Sequence, residues 1–164
     1  MPGATLCPIE VVPVDLRMSV EAREEFLAGL HVGILGVNEP RGKGGPLLVP
    51  LWYSYRPGGP VTIETGRKTL KARLVREAGR FSLCVQDESA PYRYVSVEGP
   101  VVGVEDPVPP AEHEALAHRY LDADTATAYL AANQGQLVDD IFIRMRPERW
   151  RTADFSAFAA EFDG

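Results

Sequence analysis

The sequence predicts a mainly β protein, an antiparallel barrel with a few helices at its openings. About six short runs of strand-like residues are separated by Gly- and Pro-rich turns, and neighbouring runs lie close enough to form hairpins. The three or four helical stretches do not alternate with the strands. This order disfavours a doubly wound parallel sheet and favours closure of an antiparallel sheet.

The first third of the chain predicts an arm, a helix and three strands. Residues 1–18 are expected to form a Pro-rich N-terminal arm. Ser19 suits a helix N-cap, because acidic residues follow it in the first turn, and Phe26, Leu27 and Leu30 fall on one helical face. The strands and turns that follow are HVGILGV, the loop NEPRGKGGP (38–46), PLLVPLWYSYR, the turn RPGGP and PVTIET.

A basic segment comes next, although the chain as a whole is acidic. Six of its side chains are positive and only Glu77 is negative. Apolar residues recur in it at helical spacing, so a short amphipathic helix is expected from about Lys68 to Ala78. The positive residues are Arg67, Lys68, Lys71, Arg73, Arg76 and Arg80, and the apolar stripe is Leu70, Leu74, Val75 and Ala78.

The remainder predicts strands, two helices and a tail. A long strand contains Gly99 and Pro100, which favour a bulge or bend. Residues 151–164 are expected to form a C-terminal tail with Trp150, Phe155 and Phe158 as docking points, and 1–164 to be a single domain. The predicted elements are the strands RFSLCVQD and YRYVSVEGPVVGVED, the helices DPVPPAEHEALAHRYL and DADTATAYLAANQG, and the final strand LVDDIFIRMRPERW.

Composition narrows the classes of function. The chain has 164 residues and a formal net charge of -6 at pH 7, so neither nucleic acid nor a membrane surface is an expected partner. No apolar run approaches the roughly 20 residues that span a bilayer. The N-terminus has neither a basic start nor a sustained apolar stretch, so no secretory signal is expected. Nothing requires Cys7 and Cys84 to pair, and a reduced, cytoplasmic protein is the expectation.

The start of the basic helix could bind an anion. A helix N-terminus presents unpaired backbone N–H groups and a partial positive charge, which together favour phosphate. The hydroxyl of Thr69 and the ammonium of Lys71 would add two further kinds of donor. A solvated helix face also accounts for such charges and, on spacing alone, is the somewhat commoner case.

The surrounding pattern resembles the pyridoxamine 5'-phosphate oxidase-like split-barrel superfamily, and within it the flavin- and deazaflavin-dependent oxidoreductases. The order is an apolar-aromatic strand, a hairpin, a Thr-x-Lys helix, an Arg-x-Ser-Leu strand and a Tyr-x-Tyr-Val-x-Val-x-Gly strand. The resemblance implies a split antiparallel β-barrel of the FMN-binding-protein type. The stretches that carry it are LLVPLWYSY, TGRKTLKARLVREAGRFSLCVQDE and PYRYVSVEGPV, with a weaker echo in FIRMRPERWRTADF.

The resemblance also implies a cofactor site. In that family a hydroxyl-x-Lys or Arg-x-Lys element holds the phosphate of FMN or of the deazaflavin coenzyme F420, and the isoalloxazine ring lies against the preceding strand. The residues in the turn before the helix would line the cofactor chain. The cofactor-binding residues so implied are Leu51, Trp52, Tyr53, Ser54, Thr65, Gly66, Thr69 and Lys71.

The expected activity is that of an oxidoreductase acting on a small organic substrate, with hydride carried by FMN or, alternatively, F420. Thr69 in place of an arginine favours FMN as the cofactor. Arg67, Lys68 and Arg73 could instead bind the longer anionic tail of F420. Members are typically homodimers with the cofactor at the interface. A non-catalytic flavin or heme carrier of the same fold is the alternative. The ending AFAAEFDG lacks the basic, His- and Trp-containing segment of true pyridoxamine phosphate oxidases, so that activity is not expected.

Other constellations predict little chemistry. His113 and His118 are five residues apart and do not share a helical face, so no metal site is expected. Asp139 and Asp140 are neighbours whose side chains would point to opposite sides of a strand, so they cannot act on one substrate atom. They are expected to begin that strand. No catalytic residue can be assigned from the sequence.

Overall fold

The structure is a computed structural model that describes residues 15–39, 44–135 and 139–160. Most of the predicted arm, the middle of the predicted loop 38–46 and the last four residues lie outside these ranges, as does Cys7. The strands are β1 (Gly33–Val37), β2 (Leu47–Leu51), β3 (Tyr53–Ser54), β4 (Val61–Gly66), β5 (Arg80–Gln86), β6 (Arg93–Glu105), β7 (Asp140–Met145) and β8 (Arg149–Asp154). The helices are α1 (Val20–Ala28), α2 (Leu70–Ala78), α3 (Pro110–Tyr120), α4 (Ala123–Asn133) and α5 (Ser156–Ala160).

One antiparallel sheet of eight strands closes on itself. The strands follow the order β2-β1-β5-β6-β7-β4-β3, and β8 pairs with the first half of β6 on the side opposite β5. The two end strands of this order, β2 and β3, are halves of one chain segment separated only by Trp52. At Trp52 the segment leaves β1 and begins to pair with β4, so the polypeptide itself joins the two edges of the sheet. The predicted split antiparallel barrel with flanking helices is confirmed.

Tyr120, at the end of α3, supplies the hydrogen bonds that the ladder lacks at this crossing. Its hydroxyl accepts from the amide of Tyr53 at 3.1 Å and donates to the carbonyl oxygen of His31 at 2.7 Å. Its ring stacks on that of Trp52, with centroids 4.9 Å apart and an interplanar angle of 2°. Buried backbone groups need a partner, so Tyr120 stabilises the closure of the barrel.

The barrel interior is apolar and is filled from every strand and from two helices. Each strand contributes alternate residues, as the period of two requires. Helix α1 adds Phe26 and Leu27, and α2 adds Leu74 and Val75. The fully buried strand residues include Leu35, Tyr53, Ile63, Leu83, Val97, Ile141, Ile143 and Met145.

A close backbone approach explains Gly99 in the long strand β6. A Cβ at this position would lie 1.8 Å from the carbonyl oxygen of Arg146, in the turn between β7 and β8. That turn is bonded to β6 on both sides of Gly99, through Arg146 N–H to Pro100 O and Glu148 N–H to Glu98 O, each at 3.0 Å. Only glycine fits at this point of contact.

Four sequence expectations were wrong in detail. The described residues form eight strands rather than about six, because PLLVPLWYSYR divides at Trp52 and LVDDIFIRMRPERW divides at the turn 146–148. The tail expected from residue 151 instead continues β8 and then forms α5. The irregularity in β6 lies between Val101 and Gly103, beyond the expected Gly99-Pro100. Leu30 and Leu70, expected on apolar faces, are 63% and 45% exposed.

We expect Tyr120→Phe to lower the free energy of unfolding by about 1–3 kcal/mol, the cost of leaving a buried N–H without its partner. The ring stacking on Trp52 is retained in this variant, so the loss reports the hydroxyl. Chemical denaturation followed by circular dichroism measures it.

Tyr129→Phe is the matched control. Tyr129 is half-buried in the neighbouring helix, and its hydroxyl makes no hydrogen bond to the residues that the structure describes. Its loss should change stability by less than about 0.5 kcal/mol. Equal effects of the two variants would show that Tyr120 acts only through packing.

Candidate cofactor site

The start of α2 is built by two threonines and the end of β4. Thr69 caps the helix, since its side-chain oxygen accepts from the amide of Ala72 at 3.3 Å. The same oxygen lies 2.9 Å from the hydroxyl of Thr65, which is buried. Thr69 can donate its own proton outward only when Thr65 is the donor of this bond, so Thr65 controls what Thr69 offers a ligand.

Several hydrogen-bond donors that could bind an anion lie at the N-terminus of α2. The amides of Leu70 and Lys71 lie in the first turn, where no intrahelical carbonyl is available to them. The ammonium of Lys71 makes no ion pair or hydrogen bond with any residue in the described ranges. A helix N-terminus, a half-buried cation and a threonine hydroxyl form a donor set that fits a phosphate group.

Three of the other five basic side chains of this segment have partners within the protein. Arg67 pairs with Asp106 at 2.8 Å and approaches Asp139 at 3.8 Å, and Lys68 approaches Asp139 at 3.9 Å. Arg76 donates to the carbonyl oxygen of Arg67 at 3.1 Å. The basic segment is therefore partly a structural network rather than one uniform cationic surface.

The predicted ring-binding segment runs beside β4, whose far end carries Thr65 and Gly66. Tyr53 and Ser54 pair with Ile63 and Thr62, so the antiparallel direction takes Leu51 and Trp52 toward that end. The fold thus places the residues predicted to face the ring (51–54) and those predicted to line the cofactor chain (Thr65 and Gly66) on adjacent strands.

The side chains of the predicted ring-binding segment do not face one common pocket. The Tyr53 ring is fully buried and its hydroxyl donates to the carbonyl oxygen of Leu27 at 2.6 Å, so its side chain belongs to the core. Trp52 stacks on Tyr120, and Leu51 is half-buried opposite Gly33. Only backbone and partial side-chain surfaces of this segment remain for a ligand.

Ser54 lines a cavity of about 560 Å³ between the β3–β4 hairpin and α3. Arg144 crosses its wall and donates to Thr62 at 3.0 Å, to Glu105 at 2.9 Å and to Glu112 at 2.8 Å. Polar and apolar surfaces both line this cavity, and Arg144 is already paired with Glu105 and Glu112. None of Thr65, Gly66, Thr69 and Lys71 lines it.

A buried Glu-His pair lies next to the predicted site, and the sequence did not predict it. Glu64 on β4 and His113 on α3 approach to 2.5 Å through Nδ1, while Nε2 of His113 is buried without a hydrogen-bond partner among the described residues. Burial raises the pKa of the Glu64 carboxyl, and the neighbouring His113 opposes that rise. The two residues are 49 positions apart, so no local pattern could have joined them.

Asp140, the first residue of β7, lies directly beside the helix start. It pairs in register with Gly66, and its Oδ1 would be 3.5 Å from a Cβ at Gly66, which would also lie 3.2 Å from Thr69 Cγ2. Burial raises the pKa of Asp140, while His113 and Lys71 lower it. Asp140 does begin a strand as predicted, but its position beside Gly66 and Thr69 was not foreseen.

Neither a metal cluster nor a membrane-spanning helix occurs among the described residues. The described residues contain no group of three or more His, Cys, Asp and Glu side chains that could hold a metal ion. Within the same ranges, every helix is too short or too polar to cross a lipid bilayer.

Comparison with solved structures finds the same fold in proteins of low sequence identity. A conserved hypothetical protein from Mycobacterium tuberculosis is 24% identical with a TM-score of 0.69, covering 90% of this chain and 91% of its own. An F420 reductase is 24% identical with a TM-score of 0.61, covering 78% and 94%. An FAD-binding protein from Mesorhizobium loti is 20% identical with a TM-score of 0.54, covering 82% and 94%.

These likenesses confirm the predicted resemblance at the level of the fold. The chain has the same split-barrel fold as these proteins. No family model matches the chain. No curated protein matches it either.

The Glu64–His113 pair predicts a pH dependence of stability. Because the pKa of Glu64 is raised above its ordinary 4.5 in the folded state, the folded protein keeps this proton to higher pH than the unfolded chain. The stabilisation is therefore complete below pH 4.5 and is lost as pH rises above it. Glu64→Gln, which cannot titrate, should gain stability relative to the parent protein between pH 4 and 7.

Urea unfolding at several pH values measures this difference, with Glu114→Gln, an exposed glutamate on the same helix as His113, as the control that should show no such trend. A difference that moves the opposite way would mean that His113 holds Glu64 ionised more strongly than burial disfavours its charge.

Proposed function

We propose that this protein is an oxidoreductase that binds a flavin-type cofactor, FMN or F420, with the cofactor phosphate at the start of α2. The observation that carries the proposal is Lys71, a half-buried cation that is unpaired within the described ranges and adjoins the free amides of the helix N-terminus. Such a site is suited to one phosphate group.

Structural similarity supports the flavin class. One protein with this fold is named an F420 reductase and another an FAD-binding protein. The split barrel also supplies the required arrangement, because β3 and β4 lie side by side and β4 leads through Thr65 and Gly66 into α2. A cofactor along this path would meet the strand segment Leu51–Ser54 and the helix start together.

The protein's own contribution is to bind and orient. When bound, the cofactor supplies hydride transfer to or from a small organic substrate. Lys71, Thr69 and the first-turn amides of α2 would hold the phosphate, and the backbone of the segment Leu51–Ser54 would face the ring. No side chain of the described residues has to act as acid or base for these roles. Binding without turnover would instead favour a flavin carrier.

The proposed assembly is a homodimer formed through the outer face of the sheet, which we call the β1–β5 face. Its residues form two rows across the strands, of mostly small or apolar side chains, ending at charged residues of β8. The first row is Pro50, Ile34, Cys84, Ser96 and Arg151, and the second is Leu48, Gly36, Ser82, Glu98 and Arg149.

A second copy of the chain suits this face. Leu48 is 63% exposed and Ile34 is 38% exposed, whereas Glu98 and Arg149 pair at 3.2 Å along the border. An apolar centre with a charged rim is typical of protein interfaces. The family that the sequence resembles is dimeric, and its cofactor lies where two barrels meet.

Lys71→Ala should weaken cofactor binding about 10- to 150-fold, which corresponds to the roughly 1.5–3 kcal/mol of a hydrogen bond to a charged group. Titration of apo-protein with FMN and separately with F420, followed by cofactor fluorescence anisotropy, measures the change. Tight binding of either, together with turnover of NAD(P)H- or quinone-type substrates, would support the enzyme.

Arg80→Ala is the matched control, because it removes the same charge from the same basic segment at the opposite end of α2. It should leave cofactor affinity within about twofold. Unchanged affinity in Lys71→Ala would refute the phosphate site, and the basic segment would then be a solvated helix face.

Leu48→Glu should convert a dimer into a monomer, since it places a charge in the apolar part of the β1–β5 face. Sedimentation velocity measures the state. Val20→Glu, in the exposed first turn of α1, adds the same charge elsewhere and should leave the dimer intact. A parent protein that sediments as a monomer would contradict this assembly.

A further inference from the structure

Carboxylates offset part of the positive charge around the start of α2. Arg67 and Lys68 face Asp106 and Asp139 at 2.8–3.9 Å. Lys71 makes no ion pair within the described residues, but it interacts electrostatically with Asp140 at longer range. The local field that attracts an anion is therefore weaker than the basic sequence implies.

Asp140 lies beside the start of α2. Its position is fixed by the β4–β7 ladder, in which it pairs with Gly66, one residue before the chain turns toward α2. Its Oδ1 and the Cγ2 of Thr69 lie within 3.5 Å and 3.2 Å of one point, the position of a Cβ on Gly66. An anion held by Thr69 and Lys71 is therefore a near neighbour of this carboxylate.

Repulsion by a fixed carboxylate grows with the charge of the anion. By Coulomb's law the energy for a doubly charged phosphate is twice that for a singly charged one at the same distance. A terminal phosphate ester such as that of FMN carries about −1.5 to −2 at neutral pH. The phosphate of F420 is a diester and carries one charge. The same carboxylate thus penalises the two cofactors unequally.

We propose that Asp140 is a charge-selecting residue that disfavours a terminal phosphate monoester relative to a phosphodiester and so favours a cofactor of the F420 class over FMN. The proposal rests on the phosphate site proposed above and adds to it the class of phosphate that the site accepts. Asp140 also competes with the anion for Lys71, and this competition acts in the same direction.

The test compares three ligands that share one ring system: riboflavin, which has no phosphate, FMN, whose phosphate carries up to two charges, and the phosphate monomethyl ester of FMN, which carries one. Each is titrated by fluorescence anisotropy at low ionic strength and pH 8, where the FMN phosphate is fully charged. F420 is titrated alongside.

Asp140→Asn should tighten FMN about tenfold and the methyl ester about threefold, because the fold-change for two charges is about the square of that for one. Riboflavin should be unaffected, which also shows that the variant is folded and its ring site intact. Asp140→Ser serves as a second variant if the amide perturbs the strand. Asp124→Asn, an exposed aspartate in the first turn of α4, removes the same charge and should change none of the affinities.

The outcomes separate this inference from the proposed function. Equal changes for FMN and its ester, or no change for either, would overturn charge selection by Asp140 while Lys71→Ala still weakened FMN. If Lys71→Ala had no effect and FMN bound no better than riboflavin, the phosphate site itself would be refuted, and the inference with it.

Discussion

The crossing of the chain at Trp52 is the constraint on which the rest of the structure depends. A single segment supplies both end strands of the sheet, so the barrel can close only if the chain changes partner from β1 to β4 there. At the crossing the ladder cannot satisfy every backbone group, and the Tyr120 hydroxyl replaces the missing partners of Tyr53 and His31. Barrel closure and the position of α3 therefore depend on each other, because the Tyr120 side chain at the end of α3 bonds the backbone at the crossing.

The anchored α3 and the strand pairing then place the candidate site. With Tyr120 fixed at one end of α3, His113 lies two turns earlier on the same helix and reaches Glu64 on β4. The next residues of β4 pair with the start of β7, which positions Asp140 beside Gly66 and the N-terminus of α2. The site at α2 is thus built by contacts far apart in sequence, although its donor residues all lie within 65–71.

The sequence predicts the parts of this protein that depend on local chemistry. Ser19 caps α1 as expected, because a short hydroxyl side chain suits that position. Thr69, expected inside a helix from about Lys68, is instead the N-cap of α2, which begins at Leu70. The alternation in β5 and the turn at RPGGP have equally local causes. The division of PLLVPLWYSYR and the strand at Arg149–Asp154 were missed because strand partners decide them: a continuous apolar run gives no sign that its two halves pair with different strands.

At the start of α2, too, some features have local causes and others depend on strand pairing. The residues that attract an anion are local in sequence, whereas the carboxylates that oppose it are not. Thr69 and Lys71 can be recognised from their spacing, because a capping hydroxyl and a cation in the first turn act within one helix. Asp106, Asp139 and Asp140 reach the same place through the sheet, and nothing near TGRKTLKAR predicts them. The basic segment alone therefore suggests a more positive electrostatic potential than the folded site has. The net field that an anion meets is set by the ladder between β4 and β7, so the fold adjusts what the local sequence offers.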